Sequence, residues 1–166
     1  PCLHHIHGIP LAINVGDALY SKMFELLAAN RMIMSEKKTL DILDEMVAGA
    51  RLTFEGQAFD IGWIEAAEIP TVDEFIEMLR RKTGWYSGRG PCETGVVIGD
   101  GTQDQINALG EFGETVAVAF QIRDDLLNLT ISETDATTAP EGTTGGYGKE
   151  RGGDIAEGKR TMMAID

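Results

Sequence analysis

The residues best suited to chemistry in this chain interrupt apolar helical stripes. After Thr102, the residues Ile106, Leu109, Gly113, Val116 and Phe120 recur at helical spacing, and Asp124 continues that line four residues after Phe120. Gln121, Asp124, Asp125 and Asn128 stand three or four apart and share a neighbouring surface. Adjacent carboxylates beside an apolar face repel each other, and burying them uncompensated costs on the order of several kcal/mol. Spacing alone leaves two readings open. A hard divalent cation such as Mg²⁺ takes one or two carboxylates, keeps waters and bridges to a substrate phosphate. Alternatively the pair faces solvent, as acidic pairs commonly do in so acidic a chain.

The segment after Thr71 repeats the oddity with the opposite sign. Phe75, Leu79, Lys82 and Tyr86 share a helical stripe, with Thr83 beside Lys82. A lysine there either snorkels to the edge or meets an anion inside, and spacing favours snorkelling. Gln57 and Asp60, three apart beside Phe54 and Phe59, form a third polar pair, for which spacing favours a satisfied core hydrogen bond. Lys149 and Lys159 each follow a glycine, where backbone N–H groups approach phosphate oxygens closely. Gly153 to Lys159 match the glycine and lysine spacing of a P-loop, but Arg160 stands where Ser or Thr is needed and no buried strand precedes it, which excludes that reading. His4, His5 and His7 lack a helix register and a nearby carboxylate, so a structural role at the terminus is expected over a metal site.

These residues must be positioned by helices. Residues 9–30 form a first long segment, with Ile9, Ile13, Leu19, Met23, Leu26 and Leu27 apolar and with Ala12 and Gly16 four apart, a spacing that admits a close helical neighbour. A second runs from Glu36 to Trp63 with a stripe of Leu40, Leu43, Met46, Val47, Ala50 and Phe54. Thr71-Val72-Asp73-Glu74 and Thr102-Gln103-Asp104-Gln105 are capping boxes, the second opening a helix to about Thr130. Gly99-Asp100-Gly101 reads as a turn, and residues 132–148, rich in Thr, Ala and Gly, as a flexible loop. The expected fold class is all-α, an antiparallel helix bundle with a Gly-rich, Lys-bearing tail.

Composition narrows the function classes. The 166 residues hold 14 basic and 27 acidic side chains, a net charge of −13, with 43% hydrophobic and 25% charged residues. These are globular proportions. The charge argues against duplex nucleic acid and against anionic lipid as partners. Cys2 and Cys92 are too few for a disulfide scaffold and lack CxxC spacing. No run of about 18 apolar residues occurs, so no stable membrane insertion is expected. The start of the chain shows no signal-peptide pattern, so a cytoplasmic location is expected and the Asn128-Leu129-Thr130 sequon reads as chance.

The motifs, taken in order, resemble those of the trans-isoprenyl diphosphate synthases, the farnesyl and geranylgeranyl diphosphate synthase family. Gly8 to Asp17 resembles the helix after that family's first aspartate-rich motif. Gly56-Gln57-Ala58-Phe59-Asp60 resembles its GQxxD, and Lys82-Thr83 its KT pair. Phe120 to Asn128 resembles the FQxxDD second aspartate-rich motif, and Gly148-Lys149, Asp154 and Gly158-Lys159 resemble the closing lysine block. The wording around Asn128 and Tyr147 looks like the archaeal short-chain members. The resemblance implies that Asp124 and Asp125 hold Mg²⁺ on an allylic diphosphate, with Asp154 orienting outer-shell water. It implies diphosphate binding by Lys82, Lys149 and Lys159, substrate contacts from Gln57 and Asp60, and oxygens of Thr83 and Gln121 near the allylic carbon. Isopentenyl diphosphate is the implied second substrate, and a homodimer the implied assembly.

Asn128 departs from the family by replacing the last aspartate of DDxxD. The family's first aspartate-rich motif belongs before Pro1 and further helices belong after Asp166. Residues 1–166 are therefore expected to be the middle slab of a larger prenyltransferase, with a non-catalytic subunit that dimerises with a full-length synthase as the alternative. A terpene cyclase fits poorly, since the lysines follow the synthase pattern and no Asn-Ser-Glu metal motif occurs.

Overall fold

Helices account for most of the described backbone in the computed structural model, which describes residues 2–130 and 152–165. No strand occurs among the described residues. The expected loop at 132–148, and Lys149, lie outside them. Backbone contacts divide the chain into two compact units, Pro1–Val47 and Ala48–Asp166.

In the first unit, α1 (Leu3–His7) is a single turn and α2 (Ile9–Ala29) a long helix. Gly8, at φ +82, breaks the chain between them, and Pro10 sits in the first turn of α2, where its missing N–H costs nothing. A 3₁₀ turn, Asn30–Met32, leads into α3 (Glu36–Glu65), whose N-terminal part belongs to this unit. No residue of α2 is buried, and nothing lies within 4 Å of the position a Cβ would take on Gly16. His4, His5 and His7 do share a helical turn, contrary to expectation; they are exposed, with the His4 and His5 rings 4.1 Å apart.

The second unit contains the rest of α3, then α4 (Val72–Leu79), a π-helical stretch Arg80–Arg89, α5 (Gly90–Ile98), α6 (Gln103–Thr130), α7 (Gly153–Ala156) and α8 (Met162–Ile165). Both capping boxes form. Thr71 Oγ1 accepts the Glu74 N–H at 3.3 Å, and the Glu74 carboxylate accepts the Thr71 N–H at 2.8 Å. That backbone donor holds the Glu74 carboxyl below its ordinary range. Thr102 and Gln105 repeat the exchange at α6. The core is built on α4: Phe75, Met78 and Leu79 are buried, with Trp63 of α3, Val118 and Ile122 of α6, and Met162 and Ile165 of α8 packed around them.

The long helices turn a different face inward from the one their apolar stripes suggest. Along α3 the buried positions are Thr39, Ile42, Gly49, Gly56 and Asp60, while Leu40, Val47 and Phe54 are exposed. Along α6 they are Gly110, Gly113, Ala117, Asp125 and Asn128, while Leu109, Val116 and Phe120 are exposed. The reason is close approach. A Cβ on Gly88 would lie 2.0 Å from the Gly113 carbonyl oxygen, and one on Gly49 would lie 1.7 Å from Trp85 Cε3. Contacts this close, with backbone at Gly88 and with an indole ring at Gly49, select residues without side chains, whatever their hydropathy. Phe112, Val116 and Phe120 instead border an open groove of about 380 Å³ beside Pro91 and Cys92. A second shift comes from the π-helix, whose turns take up more residues than α turns. Trp85 is buried as a result, and Tyr86, expected in the core stripe, is exposed.

Candidate functional site

The site begins with a missing side chain. A Cβ on Gly56 would stand 2.5 Å from the Lys82 backbone nitrogen and 2.9 Å from Arg81 Cβ. Glycine therefore lets α3 touch the π-helical stretch. Asp60, one turn further along α3, then reaches Lys82 and forms an ion pair with its ammonium. The anion that meets Lys82 is thus a carboxylate of the same chain, and Asp60 is only 8% exposed. Arg81 staples the same junction: its Nε donates to Glu77 at 2.7 Å, its guanidinium to Glu55 at 2.9 Å, and it lies 5.8 Å from the Phe59 ring centroid.

α6 supplies the second wall. Four-residue spacing lets Gln121 Nε2 donate to Asp125 Oδ1 at 2.9 Å. Asp125 is 7% exposed, so the expected line through Phe120 to Asp124 is displaced by one residue and Asp125 is the deeper carboxylate. Burial pushes the Asp125 carboxyl above its ordinary range; the Gln121 hydrogen bond opposes this, the neighbouring Asp154 and Asp124 add to the rise, and Lys159 opposes it.

The third wall is the segment around α7. Asp154, 5% exposed, forms an ion pair with Lys159, which also lies 3.2 Å from Glu157. Burial works against the charged ammonium of Lys159, but its hydrogen bonds to Asp154 and Glu157 outweigh that and raise its pKa. Arg160 donates from Nε to the Glu68 carbonyl at 2.9 Å and from its guanidinium to the Gly158 carbonyl at 3.0 Å, which ties this segment to the loop between α3 and α4.

Around one cavity of about 70 Å³ stand Asp60, Lys82, Thr83, Gln121, Asp124, Asp125, Asp154 and Lys159, with Arg160 and Thr161 at one side and Phe75, Met78 and Leu79 below. Eight of the ten residues singled out from the sequence therefore meet in one place. Gln57 does not join them: it is exposed, because it follows Gly56 on α3 and so turns away from the inward line of Gly49, Gly56 and Asp60. Lys149 lies outside the described residues. Arg160 and Thr161 were missed, although their position directly after Lys159 was a usable signal. Asn128 is buried, so the sequon is unavailable to any modifying enzyme in the folded chain.

Three carboxylates, Asp124, Asp125 and Asp154, line a common space with Lys82 and Lys159, and the Asp125 pKa is raised chiefly by burial, with Asp154 and Asp124 adding to it. This donor set suits a hard divalent ion. Among the described residues no three acidic, His or Cys side chains stand close enough to chelate one by themselves. An ion here would take one or two carboxylates and complete its shell with water or ligand oxygens.

All 166 residues match the model of the Polyprenyl synthetase family. A short chain isoprenyl diphosphate synthase of Methanothermobacter thermautotrophicus is 34% identical over 165 residues, 99% of this chain and 46% of that protein. The crystal structure of geranylgeranyl pyrophosphate synthetase from Pyrococcus horikoshii Ot3 has a TM-score of 0.84 at 33% identity, over 99% of this chain and 46% of that one. Geranylgeranyl pyrophosphate synthase from Corynebacterium glutamicum, solved complexed with isoprenyl diphosphate and magnesium, has a TM-score of 0.77 at 29% identity, over 93% and 39%. The chain belongs to the polyprenyl synthetase family, as its ordered motifs implied. It spans about half the length of the curated relatives it matches. Among the described residues no helix is long and apolar enough to cross a membrane.

Proposed function

We propose that this chain serves prenyl transfer: an allylic diphosphate is bound at the pocket, its C1–O bond breaks, and the double bond of isopentenyl diphosphate attacks C1. A proton is then lost from the adjoining carbon, diphosphate leaves, and the product is longer by one five-carbon unit. The observation that carries this reading is the convergence of Lys82, Lys159 and the Asp124–Asp125 pair on one cavity of a chain in the polyprenyl synthetase family.

In this reading Lys82 and Lys159, now paired with Asp60 and Asp154, exchange those partners for diphosphate oxygens, joined by Lys149. The pairings keep the two ammonium groups aimed at the cavity until ligand arrives. Thr83 and Gln121 face the allylic carbon. Since the Gln121 NH₂ donates to Asp125, its carbonyl oxygen is the group left to stabilise developing positive charge. Asp124 and Asp125 would hold Mg²⁺, with Asp154 acting through water, and the ion would neutralise charge on the leaving diphosphate. Phe75, Met78 and Leu79 keep water from beneath the reacting centre. A homodimer is part of the same reading, supported by the exposed Ile9, Ile13, Leu19 and Leu26 of α2.

Calorimetric titration of the chain with dimethylallyl diphosphate tests the site. Binding is expected only with Mg²⁺ present and is lost in Lys82→Ala. Binding that is absent, or indifferent to Mg²⁺ and to Lys82, would defeat the proposal. Sedimentation tests the dimer, and a monomer at micromolar concentration would remove it.

A further inference from the structure

Asn128 occupies the last position of the second aspartate-rich motif, where the pattern has a carboxylate, and its placement points to a different task. It lies one turn beyond Asp125 yet is not among the residues lining the pocket. It is 1% exposed, the most enclosed polar residue among those described. Its side-chain Oδ1 accepts the Asp154 N–H at 3.2 Å, and its backbone carbonyl accepts the Gly152 N–H at 2.9 Å. Gly152 caps α7 in the left-handed conformation, at φ 73 and ψ 9. The Asp154 N–H belongs to the first turn of α7, where backbone donors have no partner within the helix. Asn128 thus caps α7 from another helix.

We propose that Asn128 is a positioning residue that latches the Gly152–Lys159 segment onto the end of α6, beside the Asp124–Asp125 pair. Two hydrogen bonds from one residue set where α7 starts, and α7 carries Asp154, whose carboxylate in turn holds Lys159. The amide suits the task better than a carboxylate. Both accept the Asp154 N–H, but a carboxylate would add a charge at a nearly fully enclosed position one turn from Asp125. The motif's last position here exchanges a possible ligand for a neutral clasp. This inference rests on the prenyl-transfer reading for its consequence at the pocket, but the clasp itself is a statement about the fold.

Hydrogen exchange read by mass spectrometry on the full 166-residue chain tests it. Asn128→Ala is expected to speed exchange across Gly152–Lys159 by about tenfold while the α4 amides stay as protected as before. Asn128→Asp keeps the acceptor but adds a buried charge, and is expected to leave protection at Asp154 between that of Asn128→Ala and that of the unmodified chain. Asn128→Ser shortens the acceptor so that it no longer reaches the Asp154 N–H, leaves the backbone of the segment untouched, and is expected to reproduce the local loosening even if Asn128→Ala fails to fold. Affinity for pyrophosphate with Mg²⁺, measured by calorimetry, is expected to fall about tenfold in Asn128→Ala, the usual scale for a partner that orients ligands. Unchanged exchange of the segment in both Asn128→Ala and Asn128→Ser would overturn the latch. Failure of the unmodified chain to bind Mg²⁺ and pyrophosphate would overturn the prenyl-transfer reading instead, and the exchange result would still decide the latch.

Discussion

Helices α2 and α4 make an instructive pair. α2 has 21 residues, many of them Ile and Leu, and buries none of them; α4 has eight and buries Phe75, Met78 and Leu79. Hydrophobic content therefore does not separate the two. α4 has neighbours in its own unit on three sides, from α3, α6 and α8. Burial is a property of what surrounds a helix, and apolar surface gains its free energy only when water is displaced from it.

The comparison breaks hardest at Phe75. Phe75→Ala removes a ring that is 2% exposed, and should cost about 4 kcal/mol in chemical denaturation, while Leu19→Ala on α2 should change stability by no more than about 0.5 kcal/mol. A large loss from Leu19→Ala would mean that α2 is covered in solution.

A glycine pair sharpens the point. Gly88→Ala forces a methyl against the Gly113 carbonyl and should destabilise by about 3 kcal/mol. Gly16→Ala meets open space in a helix and should stabilise by about 1 kcal/mol, measured by thermal melting followed by circular dichroism. If Gly16→Ala instead destabilises and lowers the sedimentation mass, the Ala12 and Gly16 spacing serves contact with a second copy.

A smaller effect separates the two regions by charge. Lys82→Ala leaves Asp60 buried without its cation and should cost about 1–2 kcal/mol, discounted from a fully buried pair because Lys82 is half-buried. Lys22→Ala, which breaks an exposed pair with Glu25, should cost about 0.3 kcal/mol.

The smallest effect is read through pH. Because the folded state raises the Asp125 pKa, the native chain binds more protons there than the unfolded one, and this group's contribution falls as pH rises through its folded pKa. Asp125→Asn should therefore raise the melting temperature of the metal-free chain at pH 7. The gain should shrink as pH is lowered toward the ordinary aspartate range. A gain independent of pH would show that the Asp125 charge is already compensated.

Much of the site was legible because its residue types are improbable where they stand. Lys82, Asp124 and Asp125 interrupt apolar stripes, and a stripe is a local pattern that any reader of the chain can follow. Their register was less legible. Asp125, not Asp124, is the deeper carboxylate, and Gln57 points outward, because faces were assigned by hydropathy while glycines set the contact. Asn128 shows the same limit: its partner lies 26 residues away in sequence, beyond the reach of helical spacing.

The sequence by itself determined where helices start, through Thr71 and Thr102, and which side chains carry the charge, because capping and residue type act within a few residues of the chain. Tertiary structure alone decided which face of α3 and α6 turns inward, how the π-helical stretch swaps Trp85 for Tyr86, and that Asp154 hangs from Asn128. Those outcomes depend on the distance between backbones far apart in sequence, and that distance is set by the whole packed unit rather than by any one segment of it.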